Sequence, residues 1–185
     1  MKVTSRYLPL AVVVVMLVII SLAMTSTQEG HAPKLEEKPM PPFSLELLEP
    51  AVTADETLFT GQWQLLNVWA SWCGICKSEH GFLMQLAHQG EVSIVGLNYR
   101  DNRQSALREL TQSGNPYQAV LYDPKGSLAL DLGVYGTPES YLIDSQGMIR
   151  YRYLGALDEG VWLREFVPVI ELLQQEVQQE KRTNG

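Results

Sequence analysis

The two cysteines of this chain stand as Cys73-Gly74-Ile75-Cys76. Two sulfurs cannot build a four-thiolate zinc site within one chain. A structural disulfide over so short a loop would remove little entropy from the unfolded chain. The spacing points instead to reactive sulfur. A short apolar run, Gln64 to Ala70 (QLLNVWA), reads as a buried strand and leads straight into the cysteines. Beyond them Ile75, Phe82, Leu83, Leu86 and Ala87 recur at helical spacing, with Gly90 as a stop. Cys73 therefore falls at a helix N-terminus, where unpaired N–H groups and the macrodipole stabilise a thiolate. The thiolate is the nucleophile, so a lowered pKa makes Cys73 reactive near neutral pH. Cys76, one turn further in, attacks the mixed disulfide formed at Cys73 and releases the reduced partner. A C-x-x-C at a strand–helix junction is a specific signal for thiol–disulfide chemistry. Half of a zinc site and a purely structural clip are the alternatives.

A second constellation is Gly133-Val134-Tyr135-Gly136-Thr137-Pro138-Glu139. A cis Thr137–Pro138 bond facing the cysteines would leave the preceding backbone to pair with an extended substrate strand. An ordinary trans proline in a strand-entry turn is the competing arrangement, and base rates favour it. Glu79 lies three residues after Cys76 and shares its helix face. A partly desolvated carboxylate there would have a raised pKa and could take the Cys76 proton; a solvated surface Glu is the alternative. Trp72 offers a rigid apolar surface beside Cys73, and Tyr135 does the same beside Pro138, whereas Trp69 reads as core. His80 points to another helix face than Glu79 and reads as a surface side chain. His31 and His88 are too scattered for a metal site, so neither metal nor cofactor is expected.

The elements that position these groups alternate. Strands are expected over Phe43–Leu48, Gln64–Ala70, Val92–Asn98 and Ala119–Tyr122, and helices over Cys73–His88 and Arg103–Ser113. A β-hairpin follows over 140–144 and 148–154 about Gly147, then a closing helix over Val161–Gln179 in which Pro168 invites a kink. This order gives an α/β fold, a central mixed β-sheet flanked by helices.

The 185 residues are 45% hydrophobic and 19% charged, enough to bury a core. With 14 Lys+Arg against 21 Asp+Glu the net charge is -7, which argues against a nucleic-acid partner. The apolar run Leu8–Met24 follows Lys2 and Arg6 and reaches the short end of the spanning range. The expected organisation is a cytoplasmic N-terminus over 1–6, a transmembrane anchor over 7–24, a proline-bearing linker over 25–42, the redox domain over 43–180 and a tail over 181–185. The positive charges before the run place the domain outside the cytoplasm. A cleaved signal peptide ending near Ser21-Leu22-Ala23 is the rival, and it too exports the domain. An exported C-x-x-C sits in an oxidising compartment and needs a source of electrons to act as a reductant.

The segments LLNVWASWCGICKSEH, VGLNYRD, GNPY, LDLGVYGTPESYLID and IRYRYLG resemble the CcmG/DsbE family, the thioredoxin-like proteins of bacterial cytochrome c maturation. The similarity runs from about Leu45 to about Trp162. It implies a thioredoxin fold with a central insertion, Pro138 in cis, and Glu79 and Glu139 at the positions of the family's glutamates near the site. It also implies a reductase that keeps the heme-binding cysteines of apocytochrome c reduced, directly or through a partner thiol protein. Its electrons would come through a membrane thiol transporter. The location implied is the bacterial inner membrane, single-pass, with the domain facing the periplasm. The sequence departs from the family at Gly74-Ile75, commonly Pro-Thr, at Thr137 in place of Ala, and at Ser140 in place of Thr. Asn67 occupies the place of the buried Asp of thioredoxins proper and cannot accept a proton. A broader exported reductant or oxidase is the alternative reading, since sequence does not fix the direction of electron flow. Peroxidase chemistry is disfavoured by the tight C-x-x-C.

Overall fold

The computed structural model of the protein describes residues 12–18 and 35–183. The chain divides into two units, 1–32 and 33–185. In the first, residues 12–18 are helical. No helix among the described residues is long and apolar enough to cross a membrane. The N-terminus expected over 1–6, the remainder of the anchor expected over 7–24, the linker up to residue 34 and the last two residues of the tail lie outside the described residues.

In the second unit the strands are β1 (Lys38–Pro39), β2 (Leu45–Glu46), β3 (Thr53–Ala54), β4 (Gln64–Trp69), β5 (Ser93–Tyr99), β6 (Ala119–Asp123), β7 (Glu139–Ile143) and β8 (Met148–Leu154). The helices are α1 (Gly74–Gln89), α2 (Arg103–Ser113), α3 (Ser127–Leu132), α4 (Glu159–Val161) and α5 (Val167–Thr183). Six strands form one mixed sheet in the order β1-β8-β7-β4-β5-β6. β4, β5 and β6 run parallel, while β7 is antiparallel to both β4 and β8. β4 is central and every one of its residues is buried. This is the thioredoxin-like α/β arrangement.

The period-2 alternation of β4 sorts its side chains between two cores. Leu65 and Trp69 join Leu83 and Leu86 of α1, Ala106 and Leu110 of α2, and Phe166 and Val169 near the C-terminus. Leu66 and Val68 join Phe59, Leu128 of α3 and Tyr141 on the opposite face. Each fully buried leucine contributes about 2 kcal/mol of transfer free energy. Asn67 has the parity of Leu65 and Trp69, so this buried amide is turned toward α1.

Several elements differ from the sequence reading. The strand expected over Phe43–Leu48 contracts to β2, because Leu47 leaves it to bridge Leu121 and the Leu48 N–H donates to Val120 O. The sheet takes in Lys38–Pro39, from the segment read as linker. β1 is the outermost strand, the place where a proline without an N–H is tolerated. α3 is too short for a helical period to show. It starts where the buried Asp123 carboxylate accepts from the Ser127 and Ala129 N–H groups. The disturbance expected from Pro168 takes the form of a π turn over Trp162–Phe166, closed by Val167 N–H to Trp162 O. A wider turn just ahead of the proline relieves the clash of its ring with the preceding carbonyl.

Candidate active site

β4 ends at Trp69, and four residues later Cys73 caps α1 in extended backbone, φ −83° and ψ 104°. Its sulfur accepts the Cys76 N–H at 3.1 Å. The two sulfurs are joined, with S–S 2.08 Å and Cα–Cα 5.3 Å, so the oxidised state is the one described. On reduction, a Cys73 thiolate at this cap meets helix N–H groups and the positive end of the dipole. A thiolate is electrostatically favoured at such a cap, which fits Cys73 for the part of attacking sulfur.

The loop that presents Cys73 is held from β5's exit. Asp101 Oδ2 accepts from Ser71 N–H at 2.6 Å and from Asn98 Nδ2 at 3.0 Å, and its Oδ1 accepts from Ser71 Oγ at 2.8 Å. The Trp72 indole N–H donates to Arg100 O at 3.1 Å, and Arg100 holds a φ of 46°. Trp72 and Ile75 are 59% and 61% exposed while both cysteines are buried. The disulfide is thus flanked by an apolar rim, and half of it is the Ile75 that departs from the family dipeptide.

Glu79 is buried, not solvated. Its Oε1 accepts from Asn67 Nδ2 at 2.9 Å, and its Oε2 from the Leu157 N–H at 2.8 Å. Burial pushes its carboxyl up from the usual 4.5 to about 7, against the opposing pull of those two hydrogen bonds. A group titrating there, one turn from Cys76 on the same helix face, is matched to accepting and returning a proton at neutral pH.

Glu139 is buried too, but its partners differ. Oε1 accepts from the N–H groups of Tyr135 (2.7 Å) and Gly136 (3.1 Å). Oε2 accepts from Tyr141 Oη (2.9 Å) and from Arg152 Nε (3.2 Å) and Nη2 (2.8 Å). Five donors and an ion pair make Glu139 the anchor of the 133–138 loop. Thr137–Pro138 in that loop is cis, as the resemblance implied. Pro138 O accepts the Gly155 N–H at 3.0 Å, which ties the loop to the end of β8. Tyr135 is 86% exposed, with the Arg152 guanidinium 5.0 Å from its ring centroid.

His80 does not join this site. Its Nε2 lies 3.1 Å from the carbonyls of both Ser113 and Gly114, at the C-terminal end of α2. Among the described residues no three His, Cys, Asp or Glu side chains group as a metal site. Four supporting residues were missed by sequence reasoning: Asp101, Tyr117, Arg152 and Asn67 in its role as donor. Asp101 and Tyr117 carried a signal, lying in the YRD and GNPY segments singled out for the resemblance. Arg152 lies in the IRYRYLG segment, singled out in the same way, but nothing in its local pattern of arginines alternating with apolar residues names Glu139 as its partner.

Comparison with known proteins agrees with this geometry. The Redoxin family model matches residues 35–166. The thiol:disulfide interchange protein DsbE of Yersinia pestis is 45% identical over 175 residues, covering 91% of this chain and 93% of its own. DsbE of Escherichia coli strain K12 is 48% identical over 144 residues, 77% of each chain. Among solved structures, a Chlorobium tepidum protein assigned as a DsbE superposes with a TM-score of 0.60 at 26% identity. It covers 70% of this chain and 94% of its own.

Proposed function

The chain belongs to the Redoxin family, among its DsbE-like thiol–disulfide oxidoreductases, and we propose that it serves cytochrome c maturation by keeping the heme-binding cysteines of apocytochrome c reduced, directly or through a partner thiol protein. The observation that carries the reading is the pairing of the Cys73–Cys76 disulfide at the start of α1 with a buried Glu79 one turn beyond Cys76, its carboxyl pushed up to about 7.

The chemistry balances as follows. The Cys73 thiolate of the reduced pair attacks one sulfur of the substrate disulfide, and the other substrate sulfur leaves as a thiolate. Glu79 takes the Cys76 proton. The Cys76 sulfur then attacks Cys73, and the second substrate sulfur leaves. Two electrons pass to the substrate, and the pair ends as the disulfide described above. In the return direction one thiolate of a membrane thiol transporter's dithiol attacks Cys73, and Cys76 leaves and recovers its proton from Glu79. The transporter's second thiolate then attacks its own first sulfur, Cys73 leaves as a thiolate, and the transporter ends as the disulfide. The exposed Trp72 and Ile75 form the apolar rim on which a substrate segment rests, with the exposed Tyr135 and the backbone before Pro138 available to the same segment. The anchor over 7–24 holds the domain at the inner membrane, facing an oxidising periplasm. There free apocytochrome thiols would otherwise join.

Equilibration of the full-length chain in glutathione and dithiothreitol buffers, with an oxidised C-x-x-C-H peptide as substrate, tests this. A potential well below that of strong protein oxidants (about −120 mV), with reduction of the peptide, is expected. Cys76→Ser is expected to trap a mixed disulfide between Cys73 and the peptide. A strongly oxidising potential overturns the reductase reading and favours disulfide formation. Equal rates on unrelated disulfides favour a broader reductant.

A further inference from the structure

The Gly114-Asn115-Pro116-Tyr117 segment joins α2 to β6 and has no part in the steps above. Tyr117 is buried. Its ring stacks on Trp69 with centroids 5.6 Å apart and planes 19° from parallel. Its N–H donates to Asn115 Oδ1 at 3.0 Å, and the next residue enters the sheet edge through Gln118 N–H to Ile94 O. The hydroxyl reaches past Trp69 and donates to Asn67 Oδ1 at 2.9 Å. The opposite end of the same amide donates to Glu79 Oε1 at 2.9 Å and to Ser140 Oγ at 3.2 Å.

A buried amide has two near-isosteric orientations, and its neighbours decide between them. Ser140 is indifferent, because a hydroxyl both donates and accepts. Glu79 follows its own protonation state, accepting when charged and donating when neutral. The Tyr117 hydroxyl does discriminate. Among the described residues its proton has no acceptor other than Asn67 Oδ1, and a buried donor left unpaired is costly. We infer that Tyr117 is a positioning residue whose hydroxyl fixes the Asn67 amide with Nδ2 toward Glu79, and so sets the proton affinity of the carboxylate that serves Cys76. The inference rests on the proton-acceptor role proposed for Glu79.

The groups that face Glu79 bear this out. Asn67 faces it from β4 and the Leu157 N–H from the loop after β8, with the Tyr117 phenol behind Asn67 and Cys76 on its own helix. None of its contacts is a cation, so charge cannot hold Glu79 ionised. Its two hydrogen bonds carry that task, and one of them depends on which way Asn67 points. Turned over, Asn67 would present Oδ1 to Glu79. An oxygen there repels a carboxylate and accepts from a carboxylic acid, so the proton would be held more tightly.

The test is the ¹³C carboxyl titration of Glu79 in the oxidised full-length chain, its resonance assigned with Glu79→Gln. Tyr117→Phe keeps the ring on Trp69 and removes only the hydroxyl. The Glu79 midpoint is expected to rise by on the order of one pH unit, the weight of one hydrogen bond to the charged form. Asn67→Ala removes the donor altogether and is expected to raise the midpoint by itself. In that background Tyr117→Phe is expected to add nothing, which separates orientation of the amide from a general loosening of the core. An unshifted midpoint in Tyr117→Phe, or an equal shift with Asn67 absent, overturns the inference. A failure of the Glu79 reading looks different: Glu79→Gln would leave the pH dependence of mixed-disulfide resolution unchanged, whatever the titration shows.

Discussion

Replacing Glu79 by Gln removes the carboxylate proposed as proton acceptor while keeping most of the side-chain volume. The structure sets two magnitudes. The carboxyl titrates at about 7 in the folded chain against a usual 4.5, a difference of about 3 kcal/mol between neutral and charged forms. Because the folded value is raised, the stabilising contribution of the neutral form is fully present below pH 4.5. It is lost as pH rises through 7. The oxidised wild-type chain should therefore lose up to about 3 kcal/mol between pH 4.5 and pH 8 from this group, and Glu79→Gln should lose none of it. The kinetic magnitude is that of general base catalysis, about 10²-fold at the low end. Stopped-flow reaction of the reduced chain with an aromatic disulfide reads both sulfurs in turn. The first release of aromatic thiolate reports attack by Cys73, and the second reports resolution by Cys76. Glu79→Gln should leave the first phase nearly unchanged. It should slow the second about 100-fold at pH 7 and convert its pH profile from a plateau above 7 to a continuing rise with hydroxide. A second phase that keeps its rate and profile in Glu79→Gln would refute the reasoning, because Cys76 would then lose its proton by another route.

Three other perturbations test the supports of the site. Asp101→Ala removes the acceptor of the Ser71 N–H and hydroxyl and of the Asn98 amide, and should destabilise the fold by about 1–3 kcal/mol in urea titration while slowing the first thiolate phase. Arg152→Ala leaves the buried Glu139 carboxylate without its cation. A loss of about 3 kcal/mol is expected by chemical denaturation, with faster amide exchange at Tyr135 and Gly136 as the loop loosens. Gly96→Ala would place a methyl 2.8 Å from Trp69 Nε1 and 3.1 Å from the Tyr117 ring, so about 1–3 kcal/mol of overpacking cost should appear in thermal unfolding, together with a changed near-ultraviolet signal from the displaced stack.

The parts of this molecule legible in sequence are those with a local signal. The uninterrupted apolar run of β4, the helical spacing of α1 and the Gly-Asn-Pro stop after α2 each depend on neighbours in the chain. They place Cys73 at a helix start without any knowledge of the rest. α3 was invisible because six residues do not span two helical turns, and its start is set by Asp123, a carboxylate whose burial is decided by the sheet. β1 was hidden in a polar, proline-bearing stretch whose pairing with β8 is a tertiary event. The two glutamates show the same boundary within the site. Sequence placed Glu79 on the Cys76 face and matched Glu139 by resemblance. Only the fold shows that Glu79 is buried without a cation while Glu139 is tied by Arg152 and two backbone N–H groups. The donor role of Asn67 follows from Tyr117, fifty positions away, and no local pattern encodes it.

The environment of Glu79 is assembled from distant parts of the chain. Leu157 lies 78 residues beyond it, and Ser140, which steadies Asn67, lies 73 residues beyond that amide. Contacts so far apart in sequence form late, after the loops between them have closed. A chain emerging N-terminus first has both cysteines and Glu79 exposed before β8 and the loop after it exist. At that stage Glu79 is an ordinary solvated carboxylate, too acidic to draw a proton from Cys76 at neutral pH. The surroundings that raise the Glu79 carboxyl thus mature with the last third of the fold. Completion of β7, β8 and the loop after β8 encloses that carboxylate, so its raised proton affinity belongs to the finished domain and not to the C-x-x-C segment.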